Sequence, residues 1–224
     1  MIVGWPCPDA AAAAGIRDEW ALVMNRDRPR RILIAPPLFD EHNRLRRFLV
    51  ETMRRLDAAG IGAVLPDLPG TNESLAPLEQ QSITGWQAAL AAAASHFGAT
   101  EVLAVRGGAL VAPSLPGWAL APVTGASLLR QLIRARVLSA REASREESAE
   151  TLLASGRERG LELAGYRFGA ALIAGLESAS PAAHLIPIAQ SDLGGPGLWL
   201  RAEPAESPEQ SAALADLIAR EPDT

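Results

Sequence analysis

The chain has no lysine, so all 21 of its basic side chains are arginine. We read that bias as the imprint of a GC-rich coding sequence and not of a binding mode. Cysteine is almost absent as well. With Cys7 alone, no internal disulfide can close, and neither a zinc cluster nor an iron–sulfur site can be built from thiolates. We therefore expect a cytoplasmic protein without metal or cofactor. Positive charge is also in deficit: 26 acidic side chains give a net charge of −5, which argues against a nucleic-acid binder that works by neutralising phosphates. No apolar run reaches the roughly 18 residues that a membrane span needs. The apolar patch at residues 10–14 is bracketed by Asp9, Arg17, Asp18 and Glu19 with no basic segment ahead of it, unlike a secretory signal. Histidine occurs only three times, and His42, His96 and His184 show no metal-ligand spacing.

What is present is a chain of 224 residues, long enough for one large α/β domain with a full core. Short apolar runs at residues 31–35, 61–65, 101–105, 118–121, 184–189 and 198–202 read as strands. Helical periodicity follows Asn43 and recurs at 84–97 and 208–220. Alternation of this kind predicts a mostly parallel sheet covered on both faces. Residues 123–180 are helical in pattern and too long for a crossover, so they are expected to form an inserted helical cap within a single domain spanning 1–224. Residues 1–28 have no clear place, although 20–24 could form an edge strand.

The segment 101–113 runs from an apolar strand into Gly107-Gly108 and then a helix start, which is the layout of a nucleophile elbow, G-x-S-x-G, in an α/β-hydrolase. The small positions fall on Ala104 and Gly108, and the serine position holds Arg106. A guanidinium cannot serve as an oxygen or thiol nucleophile, so the elbow is expected as architecture without its chemistry; the plain alternative is an ordinary strand-to-helix turn. The loop after Ala202, where a triad histidine would lie, contains none. Asp192 lies where a triad acid can sit. Pro36-Pro37 occupies the oxyanion-loop position, leaving the N–H of Leu38 or Gly107 as possible donors. His42 either faces a ligand or supplies helix-start polarity, and Ser74 is expected to stabilise its own loop. Arg106 either holds an anionic group of a ligand or forms an internal ion pair, with Glu41 as first partner and Asp192 as second.

The run Pro36-Pro37-Leu38-Phe39-Asp40-Glu41-His42-Asn43-Arg44-Leu45-Arg46-Arg47 resembles the P-P-F-x-E-E-x-N-x-x-R-R signature of the exosortase A system-associated hydrolases. The likeness continues through Asp67-Leu68-Pro69-Gly70, the elbow, Pro122-Val123-Thr124-Gly125 and Leu163-Ala164-Gly165-Tyr166. One branch of that family resembles G-L-R-L-G at the elbow, with arginine in place of serine. The resemblance implies a three-layer α/β-hydrolase-like fold and a setting among bacterial genes for exopolysaccharide production and exosortase-dependent sorting. Two functions follow as expectations. One is a catalytically silent binding or assembly protein whose partner is a small anionic ligand or a protein of that system. The other is an ester or thioester hydrolase or acyltransferase with a displaced nucleophile such as Ser114.

Overall fold

The computed structural model describes residues 1–9, 15–24 and 27–220, so the apolar patch at 10–14 lies outside them. In chain order come β1 (Ile2–Pro8), β2 (Ile16–Met24), β3 (Arg31–Ala35), α1 (Asp40–Ala58), β4 (Gly62–Pro66), α2 (Ile83–Phe97), β5 (Glu101–Val105) and β6 (Gly117–Leu120). They are followed by α3 (Gly125–Glu142), α4 (Ala149–Arg159), β7 (Leu161–Leu163), β8 (Tyr166–Phe168), α5 (Ala170–Ser178), β9 (Ile186–Ile188), α6 (Gln190–Leu193) and α7 (Pro208–Ala219).

The main sheet has the order β1-β2-β4-β3-β5-β6-β9. Its five central and distal strands, β4, β3, β5, β6 and β9, are parallel, and β2 joins β4 antiparallel. Strand periodicity divides the core in two. Leu33, Ala35, Val64, Val102 and Ala104 pack on one face with α2, α3 and α5. Ile32, Ile34, Leu65, Leu103 and Val105 pack on the other with α1 and α7. Strands buried on both faces are what continuous apolar runs specify, and the layout puts every parallel strand's carboxyl end at one edge of the molecule.

Three expectations need correction. Within residues 1–28, which had no clear place, β1 and β2 pair antiparallel and join the main sheet. Val23 N donates to Met1 O at 2.8 Å, so the odd residues of β1 pair with β2 and the even ones face outward. Pro6 and Pro8 therefore present no N–H to the free edge, which blunts it against further pairing. Residues 198–202 are not a strand: Leu198–Leu200 is a single 3₁₀ turn between glycines and prolines, and β9 ends the sheet. Within 123–180, α3, α4 and α5 are interrupted by the antiparallel ribbon β7–β8, a separate two-stranded sheet.

Candidate functional site

β5 ends at Val105, and Arg106 follows with φ of 54°. A non-glycine residue in the left-handed region is strained, and here it turns the side chain up from the tip of the central strand. Gly108 lets the turn pass the neighbouring strand, since a Cβ there would lie 2.2 Å from the Ala35 carbonyl oxygen. Gly107 is crowded from above instead: a Cβ would meet Leu128 Cδ1 at 2.8 Å and Leu38 Cγ at 3.0 Å. The strand end and positive-φ turn of a nucleophile elbow are thus present, but the expected helix is only a 3₁₀ helix, Arg106–Leu110, with no α-helix before β6, and Leu38 and Leu128 occupy the space over Gly107.

Arg106 is 9% exposed, and its guanidinium meets Glu41, 8% exposed, in a two-pronged pair. Nε donates to Oε2 at 3.1 Å and Nη2 to Oε1 at 2.9 Å. Nη1 donates to the Ala121 carbonyl at 2.9 Å. The Trp199 ring covers the guanidinium carbon at 4.2 Å, a cation–π contact. Each partner comes from a different strand end: Glu41 from the first turn of α1 beyond β3, Ala121 just past β6, and Trp199 from the 3₁₀ turn that follows β9. Phe39 (φ 58°) and Ala121 (φ 42°) also have positive φ, so two further strained residues flank the pair. The α1 N-terminus falls at Asp40, not at Asn43 as the sequence suggested, because Phe39 makes the sharp turn. Its ring is locked between Trp86, Tyr166 and Phe168, the last at 4.8 Å.

His42, next to Glu41, points into a different network. Its Nε2 lies 2.8 Å from both Arg46 Nη1 and Asn72 Nδ2. The same two donors reach Asp67 Oδ1 at 3.2 and 2.8 Å. Burial, and then the neighbouring Arg46 charge, push the His42 pKa down to about 4, against a hydrogen bond to the Pro37 carbonyl that favours the charged form. The ring is therefore neutral, with Nε2 as acceptor, and is a poor base near neutrality.

The remaining residues fall elsewhere. Asp192 sits on the exposed turn of α6 and accepts from its own Ala189 N–H at 2.8 Å, with no contact to Arg106. Ser114 is exposed in the loop ahead of β6, at the amino end of the parallel strands and remote from the elbow. Nearby His184 bonds the Leu115 carbonyl at 3.1 Å. His96 packs edge-on to Phe97. Ser74 Oγ accepts from Gly70 N and Ala76 N and donates to buried Glu19, so it does brace its loop. Among the described residues no three His, Cys, Asp or Glu side chains gather as a metal-ligand set, and no helix is long and apolar enough to cross a membrane. Sequence reasoning missed Ala121, Trp199, Arg46 and Asn72. Only Trp199, a lone aromatic amid glycines and prolines, carried a signal.

The fold is shared with proteins of known structure. A putative hydrolase from Agrobacterium vitis S4 aligns with a TM-score of 0.54 at 16% identity, over 78% of this chain and 70% of that one. Mouse alpha/beta hydrolase domain-containing protein 10 aligns with a TM-score of 0.52 at 12% identity, over 78% and 69%. The chain has an α/β-hydrolase fold. No protein-family model matches it, and no curated protein matches it in sequence.

Proposed function

We propose that the chain is a non-hydrolytic α/β-hydrolase-fold protein, of the Arg-elbow branch of the exosortase A system-associated hydrolases, that works in the cytoplasm by binding a ligand or partner. The observation that carries this reading is the fork of Arg106 on Glu41 at the elbow, under Trp199 and beside Leu38 and Leu128. A nucleophile is replaced by a cation whose counter-ion is supplied internally, and the one histidine nearby has its acceptor nitrogen engaged by two donors. An anionic ligand at Arg106 would have to displace Glu41, so binding is better supported in the adjoining spaces than at the guanidinium itself.

The test is exposure of the purified chain to a fluorophosphonate probe, alongside p-nitrophenyl acetate and butyrate. Neither labelling nor turnover above the buffer rate is expected. Labelling lost in Ser114→Ala would overturn the reading in favour of a displaced nucleophile.

A further inference from the structure

Beside the locked elbow lies a cleft of about 460 Å³, a size usual for small-molecule sites. Its walls are the Pro37–Phe39 turn, the first turns of α1, the loop after Asp67, and Tyr166. The hydrogen bonds already made in its floor determine what it has left to offer. Asn72 spends Nδ2 on both His42 and Asp67, which leaves its Oδ1 as an acceptor. Arg46 spends Nη1 on the same pair, which leaves Nε and Nη2 as donors on a side chain one-third exposed. Asn43 and Glu73 line the same cleft and make no side-chain hydrogen bond among the described residues.

Three classes of occupant fit poorly. The positive charge of Arg46 is met by Asp67 behind it, Glu73 adds a negative one, and His42 is neutral, so no net positive charge remains to favour an anion. No metal-ligand cluster includes these groups among the described residues. A wholly apolar occupant would bury the free amides and the guanidinium without partners, which is costly. What fits is an uncharged molecule that offers both donors and acceptors at short spacing, with C–H faces to lie against Tyr166 and Phe39, whose ring centroids are 6.2 Å apart. Adjacent hydroxyls meet the need, one accepting from Arg46 and the next donating to Asn72 Oδ1.

We propose that this cleft binds a neutral polyhydroxylated ligand, a saccharide, without cleaving it. The proposal rests on the non-hydrolytic reading of the elbow. It is tested by titrating the full chain calorimetrically with cellobiose, maltose and N,N′-diacetylchitobiose, after a glycan array has been screened. At least one of the three should bind saturably. Asn72→Gly, which removes the amide while tolerating the φ of 48° at that position, should weaken binding at least tenfold, as should Tyr166→Ala. Ile186→Ala, exposed on β9 at the opposite edge of the sheet, should leave it unchanged. No binding to any of the three or to the array, from a chain that also stays unlabelled by fluorophosphonate, overturns the saccharide site and leaves the silent elbow standing. Release of reducing sugar overturns the silent elbow instead. Binding that survives both cleft variants, or preference for inorganic phosphate or an uncharged dipeptide amide, overturns the assignment.

Discussion

At the scale of single residues, buried charge dominates. Removing one member of a buried, hydrogen-bonded ion pair strands the other and costs roughly 3–5 kcal/mol, whereas replacing both by apolar groups is often neutral. Arg106→Ser should therefore lower the melting temperature strongly and create no esterase activity. The double variant Arg106→Met/Glu41→Leu should recover most of the loss in a thermal melt. If the single and double variants melt alike, the pair is not what holds the elbow. Glu19 is a second buried charge, fully covered on β2, with Oε1 accepting from Ser74 at 2.7 Å and Oε2 unpartnered. Burial raises its pKa, partly offset by Ser74 and Arg17 and reinforced by Asp67 and Asp9. A raised carboxyl contributes stability that is present below its unfolded value, about 4.3, and lost as pH climbs through the folded value. His42 has the opposite sign: with its pKa down at about 4, it stabilises above about 6.5 and less as pH falls. Glu19→Gln removes the first slope and exposes the second. Its stability should rise more steeply than that of the parent between about pH 4.3 and 6.5, and parallel melting curves across that interval would sink the argument.

At the scale of elements, legibility followed burial. β3 and β5 occupy the runs 31–35 and 101–105 read from the sequence, because strands buried on both faces leave uninterrupted apolar stretches. The edges were harder. β1 contains Pro6 and Pro8, which argue against a strand unless it is an edge. Residues 198–202 are apolar for another reason than pairing: Leu198 fills the lower core and Trp199 covers Arg106. The Arg106–Glu41 pair itself was legible, because a charge at an elbow must find an anion. The His42 network was not, since its partners are 4, 25 and 30 positions away in sequence at Arg46, Asp67 and Asn72. Trp199 is held in place by Arg44, whose Nη1 donates to its carbonyl at 3.0 Å. Trp199→Ala should remove a shielded cation–π contact of up to about 2 kcal/mol and admit water to the ion pair. The variant should then lose stability as salt is added, because exposed pairs are screened. A melting temperature independent of both the change and the salt would show that the turn does not shield the pair.

At the scale of the whole molecule, the question is whether residues 123–180 form a body of their own. Leu128, Leu129 and Ile133 of α3, Phe168 of β8, and Leu172, Ile173 and Leu176 of α5 belong to the same buried cluster as Leu33, Val102 and Ala104 of the sheet. Gly125 approaches so closely that a Cβ there would lie 2.2 Å from the Leu176 carbonyl oxygen, which ties the two ends of the segment together. Such a segment cannot bury its apolar face alone, nor can the sheet be covered without it. We therefore expect one cooperative unfolding transition, with calorimetric and van't Hoff enthalpies in agreement. Excision of 123–180 with a short linker should yield aggregated chain, since it uncovers the part of that sheet face that α2 does not reach. Two resolved transitions, or a soluble and folded excision product, would make the segment an independent cap.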